Sequence, residues 1–125
     1  MQTLQQQRAA HALKEVKSLA PDDSNHQPKA SASELKARAS ELPFMIHTNG
    51  LGQAAAFFKS KKDKDGYDHL YRILSSWLTS EGRPFAGHQD LMQAITSADM
   101  YLYRVAQAEA MHYMDWVKKF AKAYL

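Results

Sequence analysis

The residues with the clearest potential for chemistry are Glu109 and His112, which have the Glu-x-x-His spacing of a metal-binding helix. In di-iron helical bundles this motif supplies two ligands, but the site also needs a second copy and glutamates from two further helices. This sequence has one copy. The remaining histidines form no second pair with a glutamate at that spacing: His11, His26, His47, His69 and His88. The ligand set is incomplete, and we expect neither a metal ion nor another cofactor.

Covalent catalysis has no clear nucleophile in this chain. There is no cysteine, which excludes thiol catalysis, thiolate zinc sites and disulfides. Serines are plentiful, but none lies in a nucleophile-elbow motif. A histidine and an aspartate could meet in the folded chain, yet nothing in the sequence singles out such a pair. We therefore expect no catalytic residues and no small-molecule substrate.

Two closely spaced glycines, Gly50 and Gly52, could belong to a turn or a phosphate-binding loop. Asn49 and Gly50 form a pair typical of hairpin turns, but no alternating strands flank it. The spacing of a P-loop and its Lys-Ser/Thr pair are also absent. Apolar and small residues here recur instead in steps of three and four. We therefore predict that Pro43 ends one helix and begins another, which runs through the glycines to about Lys59 and lets a neighbouring helix approach them.

Glu109 shares the apolar side of the last predicted helix, and an unpaired buried carboxylate costs several kcal/mol. Asn49 and Gln53 are polar residues in the apolar stripe of the glycine-containing helix. One hypothesis is that Asn49 or Gln53 donates a hydrogen bond to Glu109 where Gly50 permits close contact. The alternative is that Glu109 lies at the rim of the core and covers apolar surface with its stem. The sequence leaves both open.

The helical period extends over most of the chain and predicts the elements that carry these residues. The cleanest apolar stripe consists of Tyr67, Leu70, Tyr71, Leu74, Trp77 and Leu78. Loops are predicted near residues 21–32, 61–66 and 80–89, and no segment has the pattern of a strand. We predict an all-α, single-domain bundle of about six helices over residues 1–125.

Length and charge set further limits. The 125 residues suit one domain, and the formal charge of +3 is compatible with a nucleic-acid partner without establishing one. No secretory signal and no apolar run long enough for a bilayer is visible, so we expect a cytoplasmic protein with no membrane partner.

The basic residues fall into three groups along the chain. These are Arg8, Lys14 and Lys17 in the first helix, Lys59, Lys61, Lys62 and Lys64 after the glycines, and Lys118, Lys119 and Lys122 in the final turns. Lysines near a helix C-terminus also offset the helix dipole by ~0.3–1 kcal/mol. Charge alone therefore favours an ordinary solvated surface over a nucleic-acid site.

One ordered series of motifs adds to this interpretation. It consists of Leu42-Pro43, Asn49-Gly50-Leu51-Gly52-Gln53, Phe57-Phe58, Tyr67, Leu70, Trp77-Leu78, Tyr103-Arg104, Glu109-Ala110 and Trp116-Val117-Lys118-Lys119-Phe120. The series resembles the small helical subunit of type III-B CRISPR effector complexes, the Cmr complexes. The similarity covers roughly residues 42–123 and, more loosely, the first helix around Arg8.

The resemblance implies a non-catalytic subunit in antiviral defence. Such a subunit stacks with sister copies beside the other subunits of the complex and helps to hold guide RNA and target RNA, while a different subunit cleaves the target. This role requires scattered phosphate contacts rather than base reading, which fits the modest charge.

The matched positions assign expected roles to individual residues. Lys118, Lys119 and Arg8 match as RNA contacts, and charge alone adds Lys14, Lys17, Lys59, Lys61 and Lys62. A second matching set is assigned to packing: Asn49, Gly50, Gly52, Gln53 and Glu109. Arg104 also matches the series, but it could instead pair with Asp99 or Asp115.

Two other functions stay open at this point. One is a helical adaptor that binds only protein, and the other is a metal-dependent helical-bundle enzyme that uses Glu109 and His112.

Overall fold

The computed structural model describes residues 1–20 and 30–125, and within them it contains six α-helices and no strand. The helices are α1 (Leu4–Leu19), α2 (Ala32–Asn49), α3 (Leu51–Ser60), α4 (Tyr67–Leu78), α5 (Leu91–Ser97) and α6 (Met100–Tyr124), with a 3-10 turn at Lys64–Gly66. The predicted all-α fold is confirmed. Most of the predicted loop at 21–32, together with His26, lies outside the described residues.

Polar side chains fix where the longer helices begin. Thr3 accepts a hydrogen bond from the Gln6 amide, and the Gln6 side chain accepts one from the Thr3 amide, which forms a capping box at the start of α1. Ser31 and Glu34 form the same arrangement before α2. Asp99 caps α6 by accepting from the Leu102 amide at 2.8 Å. These caps satisfy amides that have no partner within a helix.

The prediction of one helix from Pro43 to about Lys59 is wrong at both of its critical points. Pro43 does not separate two helices, because α2 begins at Ala32 and contains it. The chain then leaves helical geometry at Gly50, whose φ of 89° and ψ of 159° are nearly confined to glycine. The glycine therefore separates α2 from α3.

Side chains from α6 compensate for the helical hydrogen bonds that the break removes. Gln107 Oε1 accepts from the Leu51 amide at 2.8 Å, and Tyr103 Oη accepts from the Gly52 amide at 2.8 Å. A Cβ atom at Gly52 would lie 3.3 Å from Tyr103 Oη. The expected close approach of a neighbouring helix to the glycines therefore exists. It allows side chains of α6 to cap α3, however, rather than packing α6 against an unbroken helix.

The core places one side of α6 against α1 and α2 and leaves the opposite side in solvent. All six residues of the predicted apolar stripe in α4 are buried. Within this core the Trp77 ring stacks on the Tyr113 ring, with centroids 5.1 Å apart. None of the described helices combines the length and hydropathy needed to cross a bilayer.

Candidate nucleic-acid interface

Glu109 lies at the centre of a buried ion-pair network. Its carboxylate accepts two hydrogen bonds from the Arg8 guanidinium, from Nε at 2.6 Å and from Nη2 at 2.8 Å. Trp77 Nε1 donates a third hydrogen bond to Glu109 Oε2 at 2.9 Å. The side chains of Arg8 and Glu109 are each only 10% exposed. A two-pronged contact of this kind ties α1, α4 and α6 together.

The network controls the charge of its members. Burial alone would raise the pKa of Glu109, but the hydrogen bonds from Arg8 and Trp77 and the positive charges of Arg8 and Arg83 outweigh it and lower that pKa. The hydrogen bond to Glu109 likewise raises the pKa of Arg8. Both groups are therefore ionised at neutral pH.

The hypothesis that Asn49 or Gln53 satisfies Glu109 is wrong, and so is the alternative that Glu109 lies at the rim of the core. Asn49 and Gln53 are exposed, and Asn49 Oδ1 accepts from the neighbouring Thr48 hydroxyl at 2.6 Å. The missed partner was Arg8. Its position four residues before the buried Ala12 places it in the same stripe of α1, and this was the available signal.

Arg8 must also be removed from the expected RNA contacts. Its guanidinium is buried, and its third donor nitrogen binds Gln5 Oε1 at 3.1 Å. Moving this group to a phosphate would leave the Glu109 carboxylate without its main partner. The ion pair gives Arg8 a role in stability instead.

The Glu-x-x-His motif does not form a ligand pair. The Glu109 oxygens are occupied by Arg8 and Trp77, whereas His112 is exposed. Within residues 1–20 and 30–125, no group of three or more potential ligand side chains converges. The geometry therefore gives no support to the metal-enzyme alternative.

One basic residue of α1, Lys17, lies close to the C-terminal end of α6. Lys14 and Lys17 are both exposed on α1. The ammonium group of Lys17 lies 5.2 Å from the centroid of the Tyr124 ring, in the last turn of α6. The structure thus brings one cation of the α1 group, Lys17, to the end of α6 that carries the last basic group.

The middle group of lysines lies against α4 and the segment before α5. Lys59 is 3.7 Å from Asp90 Oδ1 and 4.7 Å from the Tyr71 ring centroid. Lys61 lies over the Phe57 ring at 4.9 Å. Lys62 is exposed in the turn that follows. Partners on their own surface hold Lys59 and Lys61, which leaves Lys62 as the more available cation of the three.

Lys118 and Lys119 are neighbours near the end of α6 that differ in exposure. Lys119 is 67% exposed and pairs with Asp115 one turn earlier at 2.8 Å. Lys118 is half-buried and forms one edge of a groove of about 300 Å³ between α2 and α6. The other lining residues are Ser40, Pro43, Phe44, His47, Met111 and Asp115. The exposed ion pair between Lys119 and Asp115 is worth only ~0.2–1 kcal/mol, so Lys119 could exchange Asp115 for a phosphate at little cost.

Comparisons with known proteins agree with this architecture. A family model described as a CRISPR-associated protein (Cas_Cmr5) matches residues 4–124. The chain is also similar to a solved structure, the X-ray crystal structure of a CRISPR-associated Cmr5 family protein from Thermus thermophilus. The two are 26% identical, the comparison covers 99% of each chain, and the TM-score is 0.77. The match includes every helix that carries a candidate RNA contact.

Proposed function

The chain belongs to the Cmr5 family of CRISPR-associated proteins, and from this premise we propose that it helps to hold guide RNA and target RNA without taking part in catalysis. Membership of the family implies that it is a subunit of a Cmr complex. The finer role is our proposal: it is a cytoplasmic subunit that contacts RNA backbone through basic residues and packs beside sister copies in antiviral defence.

The observation that carries the RNA-holding role is the position of two adjacent lysines in α6: Lys119 is 67% exposed, and Lys118 lies at the edge of the groove beside it. Lys17 extends positive charge from α1 to the C-terminal end of α6, and Lys14 is exposed on the same helix. Lysine presents a flexible point charge, which suits phosphate contact without sequence reading. The lysines Lys59, Lys61 and Lys62 remain candidates on a different part of the surface.

The groove between α2 and α6 is the observation that supports the proposed packing beside sister copies. Phe44 is 67% exposed at this groove, although it is a large apolar residue. Pro43 and Met111 line the same groove, so Phe44 belongs to an apolar patch. Apolar patches mark protein interaction sites, whereas single exposed apolar side chains are ordinary surface. We propose that Phe44 and the α2 side of the groove face a neighbouring subunit, while Lys118 on the α6 side stays available to RNA.

The experiment that tests RNA holding uses the assembled complex, because single contacts of this type are weak. The variant Lys118→Glu/Lys119→Glu is incorporated, and the affinity for target RNA is measured over a range of salt concentrations. Lys36→Glu/Lys64→Glu is the matched control, since it changes the net charge equally at lysines outside the proposed contact set. Thermal unfolding of each free subunit checks that the fold is intact.

We expect the α6 variant to bind target RNA more weakly and to have a shallower dependence on salt. Each lost contact to a single strand lowers the slope of log affinity against log salt by ~0.7, so two contacts lower it by up to about 1.4. The control should keep the wild-type slope. Equal slopes for wild type and the α6 variant would contradict the proposal and favour the adaptor that binds only protein.

A further inference from the structure

The outward face of α6 carries more than the two lysines already assigned. Its exposed charged residues are Arg104, Asp115, Lys119 and Lys122, so three cations face one acid. That acid is already paired with Lys119. At 1.5 Å per residue, Arg104 and Lys122 lie about 27 Å apart along the helix. The face is therefore a straight, net positive strip that matches the charge of a polyanion.

The N-terminal end of this strip has no assigned role. Tyr101 is 77% exposed and Arg104 is also exposed, three residues later on the same face. Within the described residues neither side chain has a hydrogen bond, ion pair or ring contact, and Arg104 pairs with neither Asp99 nor Asp115. An aromatic ring and a guanidinium thus lie side by side in solvent, about one helical turn apart.

We propose that Tyr101 and Arg104 form a contact for an unpaired nucleotide of the target RNA, with the base stacked on Tyr101 and a phosphate bound by Arg104. This inference rests on the proposed function and extends the RNA contact along α6 from Lys119 to its first turn. Proteins commonly hold single-stranded nucleic acid by this combination of aromatic stacking and backbone charge. The contact needs no base-specific hydrogen bond.

RNA fits this pair better than an apolar protein surface does. A protein that covered Tyr101 would also cover the unpaired guanidinium of Arg104, and a buried charge without a partner is strongly unfavourable. A nucleotide supplies both needs at once, because its base offers an apolar face and its phosphate offers a bidentate acceptor. Met100, which is 68% exposed beside Tyr101, provides a test between the two partners.

The experiment measures the affinity of the assembled complex for labelled target RNA at several salt concentrations. We expect Tyr101→Ala to weaken binding by about 5- to 150-fold, the range for the loss of one base–aromatic stack, with the salt slope unchanged. Tyr101→Phe should retain wild-type affinity because it keeps the ring. Arg104→Gln should lower the salt slope by ~0.7, since it removes one phosphate contact. Met100→Ala is the matched control and should leave RNA binding unchanged.

Three results would overturn the inference. Unchanged RNA affinity in both Tyr101→Ala and Arg104→Gln would do so, and the proposed function would still stand if Lys118→Glu/Lys119→Glu weakened binding in the same assay. Equal losses in Tyr101→Ala and Met100→Ala would indicate apolar contact with protein. Poor incorporation of the Tyr101→Ala subunit into the complex would indicate the same. If all the variants, including the lysine pair, bind RNA normally, the proposed function itself fails.

Discussion

The buried pair of Arg8 and Glu109 gives the sharpest test of how this fold is held together. Replacing Arg8 by Met keeps an unbranched but shorter side chain and removes both hydrogen bonds to the carboxylate. Glu109 is then left 10% exposed with Trp77 as its remaining donor. The reciprocal change, Glu109→Met, leaves a buried guanidinium without its counter-ion. The double variant removes both charges.

The expected sizes follow from the environment of the pair. Breaking a buried ion pair from one side costs ~3–5 kcal/mol, because the other charge stays buried without compensation. The double variant leaves only the Trp77 N–H without a partner, at ~1–3 kcal/mol. Since a domain has ~5–15 kcal/mol of stability in total, each single variant should lose a large fraction of it, and the double variant a smaller one.

The pH dependence should change sign when Arg8 is removed. In the wild type the pKa of Glu109 is lowered in the folded state, so its stabilising contribution is present above the unfolded value near ~4.3 and is lost as pH falls through the folded value. In Arg8→Met, burial becomes dominant and raises the pKa above that of the unfolded chain. That variant should therefore lose stability as pH rises from about 4 toward 7.

Urea unfolding followed by circular dichroism measures all four proteins at a series of pH values. The double-mutant cycle isolates the pair, and we expect the double variant to be more stable than either single variant. Two results would refute the reasoning: losses below ~1 kcal/mol in both single variants, which is the level of an exposed pair, or a double variant whose loss equals the sum of the two.

Three further predictions test the α3 junction and the half-buried His11. Gly50→Ala should lower the free energy of unfolding by ~1–3 kcal/mol, because a φ of 89° strains other residues and a Cβ would lie 3.4 Å from Tyr103 Oη. Gly82→Ala is the control for backbone strain alone, since Gly82 has a φ of 79° and a Cβ there would meet nothing within 4 Å. Equal losses of stability in the two variants would show that the contact with Tyr103 contributes nothing. Tyr103→Phe should cost ~0.5–2 kcal/mol and speed hydrogen exchange at the Gly52 amide, and unchanged exchange would contradict the capping role. Burial lowers the pKa of His11, so unfolding should become easier as pH falls below ~6.5, and His11→Gln should flatten that dependence; an unaltered pH profile in the variant would exclude His11 as its source.

The sequence predicts the parts of the fold that depend on local periodicity. The stripe in α4 follows the helical repeat and is observed. In α6 the repeat predicts an apolar side from Leu102 to Tyr124, of which the middle is buried, whereas Val105 and Tyr124 are exposed. The break at Gly50 was missed, because the bonds that compensate for it come from Tyr103 and Gln107, more than fifty residues away. The Asn49-Gly50 pair was a local signal for the break, but the apolar period on both sides outweighed it.

In the candidate site, too, features that follow local periodicity are predictable from the sequence, and features that depend on distant residues are not. Lys118 and Lys119 can be placed on the surface of α6 from the sequence, since their neighbour Val117 is the buried residue of that turn. Counting charges could not show that Arg8 is unavailable to RNA, because the charge of an arginine does not indicate whether it is buried or exposed. Its partner lies 101 residues away, and only the packing of α1 against α6 brings the two together.

Photo-crosslinking tests the central claim most directly. The complex is assembled with target RNA that carries 4-thiouridine, irradiated, and digested, and the crosslinked peptides of this subunit are identified by mass spectrometry. We predict crosslinks in α6, at the peptide that contains Lys118 and Lys119 and at the one that contains Tyr101. A subunit that is fully incorporated but gives no crosslink to RNA, or gives crosslinks only outside α6, would contradict the account.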